Sequence, residues 1–150
     1  MSSRTRTNRL FSIATIAIGA VMMLAGVLTW VMVSSTLSDQ KIVVADDASC
    51  MAGRTVAGPI TAYCQADVIN MHTLEATGGK TYAELDREDP VRETAMTSSF
   101  LQASLYTSVV AFGVALMAFG IGLVFVLLGI TVLRLSSEPK NETAPEEVLV

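Results

Sequence analysis

Polar and apolar positions alternate along this chain in blocks rather than in a fine period. Residues 1 to 9 are polar and carry Arg4, Arg6 and Arg9. Leu10 to Val33 then runs without a charged residue and is built mostly of Ile, Val, Leu, Ala and Met. A mixed, charge-bearing segment follows. A second uncharged run extends from Thr94 to Leu133, strongly apolar from Leu105 onward, and a polar tail closes the chain. About 20 apolar residues in a helix span the roughly 30 Å of bilayer hydrocarbon, and both runs are long enough. The pattern predicts a mainly α membrane protein, with two transmembrane helices flanking a small extracytoplasmic mini-domain. The parts are a tail over 1–9, helix one over 10–33, a loop domain and stalk over 34–104, helix two over 105–133, and a disordered tail over 134–150.

Local signals divide the loop domain. Lys41 to Val44, KIVV, suits an extended run, and Gly58-Pro59 marks a turn. Thr61 can cap a helix from about Ala62 to Ala76, which Gly78-Gly79 would end. Thr81-Tyr82-Ala83-Glu84 has the form of a capping box. Asp89-Pro90 gives an N-cap followed by proline at the first helical position. From Val91 nothing interrupts a helix until Ser136, which makes it about 65 Å long, roughly twice the membrane thickness. Val91 to Ser104 is therefore expected to project as a stalk.

Of the 150 residues 51% are hydrophobic, and the mean hydropathy of +0.52 agrees with membrane residence. The first run is too long for the 7–15-residue apolar core of a cleaved signal peptide, so it reads as an anchor. Positive charge sets orientation. The N-terminal tail has three Arg and no acid, Arg134 closes the second run, and the intervening segment sets five basic residues against ten acidic ones. The expected topology is a two-pass plasma-membrane protein with both termini cytoplasmic. The tail sequence SSEPKNETAPEEVLV is polar and acidic, as in disordered segments. Its Asn141-Glu142-Thr143 sequon would lie inside the cell, away from glycosylation.

Candidate chemistry is sparse. Cys50 and Cys64 are the only cysteines. In an oxidising compartment such a pair usually bonds, and a bridge would tie the segment before the predicted helix to its first turn. Two free thiols, a redox couple and a metal site are the alternatives; the last two lack the Cys-x-x-Cys or clustered ligand spacing those functions use. The single histidine, His72, lies eight residues beyond Cys64, about 80° around an ideal helix. Asp86-Arg87-Glu88-Asp89 lacks the alternating carboxylates and glycine of a calcium loop and reads as a solvated acidic face. No cofactor is expected.

Small residues recur at steps of three and four in both apolar runs, which lets membrane helices approach closely. Ser12, Thr15, Gly19, Met22, Gly26 and Thr29 form one stripe. Ser104, Ser108, Ala111, Ala115, Ala118, Gly122 and Gly129 form the other. Ser12, Gly19, Gly26, Ala111, Ala115, Ala118 and Gly122 are the candidate helix-packing positions. The expected partners are lipid and other membrane helices or a second copy, with no nucleic acid. Met22, Met23 and Met117 form no converging soft-metal ligand set. Neither run carries an ionisable residue at hydrocarbon depth, where ion and proton paths need one.

Gly58 to Val114, and above all ATGGKTYAELDREDP (Ala76 to Pro90), resembles a group of small actinobacterial two-helix membrane proteins; the likeness extends over roughly Val27 to Ile130. That group carries the name "aromatic ring-opening dioxygenase LigA". The name implies non-haem iron chemistry, commonly held by two His and a carboxylate. A chain with one histidine does not supply that set. The expected function is a non-catalytic accessory or scaffolding subunit of a cell-envelope complex. The alternatives are an extracytoplasmic ligand or envelope-stress sensor and, third, a membrane enzyme.

Overall fold

A computed structural model describes residues 3 to 136. It is mainly α: α1 (Ser3–Asp39), α2 (Pro59–Ala76), a 3-10 turn at Tyr82–Glu84, and α3 (Arg92–Leu135). Among the described residues there is no strand, only an isolated antiparallel bridge between Val43 and Thr55. Both α1 and α3 are long and apolar enough to cross a membrane, and the disulfide-bearing segment lies between them. The predicted tail over 134–150 lies outside the described residues beyond Ser136.

Helix α1 runs past the expected 33, because nothing between Ser34 and Asp39 interrupts it. The hydroxyls of Thr36 and Ser38 donate back to the carbonyls of Met32 and Ser34, both at 2.9 Å, so polar side chains are accommodated within the helix. It ends in a turn where Lys41 takes a left-handed φ of 54°. Lys41 is thus a turn residue and not part of the extended run. Ile42 to Val44 do pair: Val44 N–H donates to Arg54 O, Gly53 N–H to Val44 O, and Val56 N–H to Ile42 O, each at 2.9 Å. Gly53 supports that narrow return with a φ of +70°, which a residue without Cβ adopts at low cost.

The start of α2 differs from the sequence expectation. Pro59 opens the helix, its fixed φ suiting the first helical position, and Gly58 caps it in an extended conformation. Thr61 lies inside the first turn and reaches back, its hydroxyl accepting from Ala57 N–H at 3.2 Å and Gly58 N–H at 3.1 Å. The C-terminal end is as expected: Ala76 is the last helical residue, and Gly78 and Gly79 have φ of 65° and 86°. In the 3-10 turn, the Glu84 carboxylate accepts from both the N–H and the hydroxyl of Thr81 at 2.8 Å. Helix α3 begins at Arg92, after Asp89 has accepted the Val91 N–H at 3.0 Å. The Arg92 guanidinium donates to the carbonyls of Tyr82 and Leu85 and lies 4.3 Å from the centre of the Tyr82 ring.

The chain forms two compact units. One joins α1 up to Met23 with α3 from Gly120. There the helices approach through backbone. A Cβ placed on Gly19 would lie 2.5 Å from Gly122 O, and one on Gly122 would lie 2.6 Å from Gly19 O. Gly129 sits likewise against Ser12 and Ile16, and the buried Ser12 hydroxyl donates to Asn8 O at 2.9 Å.

The other unit, Leu24 to Phe119, repeats this approach where Gly26 meets the Ala115 carbonyl. Its core gathers Leu37, Val44, Val56, Ala62, Cys64, Ala66, Leu105 and Phe112. Of the candidate packing positions, Ser12, Gly19, Gly26, Ala115 and Gly122 are buried, while Ala111 and Ala118 are half-buried at the margin. Thr29 and Ser104 are exposed and make no part of the seam. Thr15 and Met22, three residues beyond Ser12 and Gly19, are half-buried on the same face, so the stripe is centred on the seven-residue subset 12, 19, 26 and flanked by its three-residue neighbours.

Gly120 and Gly122 provide an internal comparison. Nothing lies within 4 Å of a Cβ at Gly120. Gly120→Ala is therefore expected to stabilise by about 0.5–1 kcal/mol through helix propensity. Gly122→Ala should cost about 1–3 kcal/mol through overpacking. Reversible unfolding of both variants in micelles measures this; equal effects would contradict the close approach.

Candidate functional site

Polar and chemically distinctive side chains, the disulfide and the histidine among them, converge at the contact between residues 42–57 and α2. Cys50 and Cys64 are bonded, with Cα atoms 5.7 Å apart, inside the range disulfide geometry requires. Because α2 starts at Pro59, Cys64 lies in its second turn and not in the first. It is almost wholly buried in the core, next to Val44 and Val56. Three polar contacts extend the attachment along α2. Ala45 N–H donates to Gln65 Oε1 at 3.1 Å, Ser49 Oγ to Asp67 Oδ2 at 3.5 Å, and His72 Nε2 lies 2.5 Å from Asp47 Oδ2. On the opposite side, Ser34 Oγ of α1 donates to Ala57 O at 2.7 Å, fixing the end of the segment where α2 begins.

His72 and Asp47 alter one another. Hydrogen bonding to the Asp47 carboxylate raises His72 above its ordinary 6.5 against a smaller desolvation effect, and the charges of Asp47 and Glu75 add to the rise. The same hydrogen bond holds Asp47 below its ordinary 3.8. The stability carried by His72 is fully present below pH 6.5 and is lost as pH rises through the raised value. That carried by Asp47 is present above 3.8 and is lost as pH falls through the lowered value. The pair is thus complete at mildly acidic pH. Both side chains are about half exposed, so solvent screens the attraction and its contribution to folding is small.

Among the described residues, no three His, Cys, Asp or Glu side chains are placed to hold a metal ion. His72 is hydrogen-bonded to one carboxylate, that of Asp47, and the sequence has no second histidine. The donor set does not fit an iron centre of two His and one carboxylate. With both cysteines bonded, no thiol is available as a nucleophile among the described residues. Asp47 had no signal in the sequence, because its partner lies 25 residues away and the two meet only when the segment folds onto α2. Comparisons with protein-family models, with curated proteins and with solved structures give no match.

Two outcomes follow from this geometry. Cys50→Ser and Cys64→Ser should each destabilise the segment by about 2–4 kcal/mol, and the double variant should be no worse than either single. Alkylation of both cysteines in unreduced, denatured protein would contradict the bond. The His72 ring protons, followed by NMR, should titrate with a midpoint above 6.5 that returns toward that value in Asp47→Asn. A midpoint indifferent to the substitution would remove the pair from the account.

Proposed function

We propose that the protein is a two-pass plasma-membrane component without catalytic activity, acting as an accessory or scaffolding subunit of a cell-envelope complex. Residues 10–33 and 105–133 cross the bilayer, the stapled segment and the lower part of α3 lie outside, and both termini are cytoplasmic. One observation carries the reading. Large apolar side chains stand exposed on both long helices everywhere outside their mutual seam, among them Phe11, Val21 and Leu28 on α1 and Val114, Leu116 and Leu127 on α3. A water-facing helix is apolar along one stripe only, whereas one apolar on every side is surrounded by other protein or by lipid. The resemblance of Gly58 to Val114 to small membrane proteins supports the same placement.

The subunit role is supported by what the helices offer. They present extensive apolar surface beyond their mutual seam, to which further membrane helices can pack. Purification in mild detergent followed by mass spectrometry tests this directly. A stoichiometric membrane-protein partner, or a defined homo-oligomer, is expected. A lone monomer carrying a small molecule would instead support the sensor reading.

A further inference from the structure

The exposed apolar surface does not stop at the long helices. In the Leu24–Phe119 unit, an apolar cleft of about 300 Å³ is lined by Val27, Trp30 and Val31 of α1 and by Ala115, Leu116 and Phe119 of α3. Trp30 also lines a second, shallow recess of about 790 Å³, whose other walls include Arg54, Ala57, Pro59 and Ile60. Trp30 therefore joins the apolar cleft between α1 and α3 to a mixed recess at the first residues of α2. Ile60 is 61% exposed and Tyr63 is 51% exposed, the two large apolar side chains that the first turns of α2 leave uncovered while Ala62 and Cys64 between and beside them are buried. Tyr63 stands with Tyr106 of α3, ring centres 6.1 Å apart, and Trp30 stands with Phe112 at 4.7 Å. Arg54 is the one charged residue lining the recess, on a segment that is otherwise acidic.

We infer that the start of α2 is seated in the outer headgroup–acyl boundary of the bilayer, with Trp30, Ile60 and Tyr63 as its anchors and Arg54 facing the lipid phosphates. The inference rests on the membrane placement proposed above. Trp and Tyr concentrate at this boundary because their rings are apolar and their N–H and O–H groups are polar. The spacing agrees. Arg9 precedes Trp30 by about 21 residues and Arg134 follows Phe112 by about 22, roughly 31 and 33 Å of helix and close to one hydrocarbon thickness. On this footing the crossing of α3 begins near Phe112 and not at Leu105, which packs with the stapled segment, and that segment lies against the membrane at one end and is not held clear of it by α3.

Full-length protein in phosphatidylcholine nanodiscs tests the seat. Single cysteines at Val21, Ile60 and Glu75, beside the intact native disulfide, carry an environment-sensitive fluorophore. Quenchers are nitroxides near the lipid headgroup, nitroxides deep in the acyl chain, and aqueous iodide. Val21 should lose most fluorescence to the deep nitroxide, Ile60 to the shallow one, and Glu75 to iodide alone. Trp30, the only tryptophan, supplies a label-free check: lipids brominated near the headgroup should quench it more than lipids brominated near the chain end. Quenching of Ile60 by iodide alone, with Val21 still quenched from the lipid, overturns the seat and leaves the membrane reading standing. Ile60 shielded from every quencher also overturns it, since protein such as a second copy then covers the site. Val21 quenched by iodide overturns the membrane reading and the seat together.

Discussion

Everything in this molecule is arranged around apolar side chains that project from all sides of α1 and α3. Two helices can cover only one flank of each other. In both compact units they do so at the closest range backbone allows, with Gly19 against Gly122 in one and Gly26 against Ala115 in the other. Glycine permits that approach because even a methyl group would meet a carbonyl oxygen at about the 2.5–2.6 Å seen for a built Cβ. Close approach gains dispersion contacts between helices. It leaves most of Phe11, Val21, Leu24, Leu116 and Leu127 uncovered, and it is this remainder that lipid or further helices occupy in the proposed reading.

The segment between the long helices solves a different problem. It is too short to bury much apolar surface by itself, a condition under which covalent staples become important. Its core is completed by Leu37, Leu105 and Phe112, which the long helices lend to it. The Cys50–Cys64 bond and the contacts of Ala45, Ser49 and Asp47 then fix the 42–57 segment on α2. Val44 and Val56, which are fully buried, are held facing that core by the short backbone pairing around the Val43–Thr55 bridge. The staple therefore closes a segment whose packing depends on the same helices that carry the apolar surface.

Much of this was legible in the sequence, and the reasons differ from place to place. The two long helices were visible because an uninterrupted apolar run has few other solutions. The end of α2 was visible because Gly78 and Gly79 favour the left-handed conformation they adopt. The Thr81–Glu84 contact was visible because a capping box is a local, four-residue geometry. The start of α2 was not: Gly58-Pro59 serves equally as a turn or as a cap followed by a first helical residue, and only packing of Ala62, Cys64 and Ala66 into the core selects the second. The extension of α1 to Asp39 was hidden because Thr36 and Ser38 are neutral signals until their hydroxyls bond back to the helix. Thr29 and Ser104 fitted a small-residue rhythm but lie away from the contact. The Asp47–His72 pair depends on long-range folding and left no local trace.

Membrane placement and topology are tested together by sidedness in intact cells, with single cysteines at Ser2 and at Glu75 and the native pair still bonded. An impermeant maleimide should label Glu75→Cys, while Ser2→Cys should be labelled only after the cells are opened. Labelling of Ser2→Cys with protection of Glu75→Cys would invert the topology and remove the oxidising environment on which the disulfide depends. Recovery of both variants in the soluble fraction would contradict the membrane placement itself.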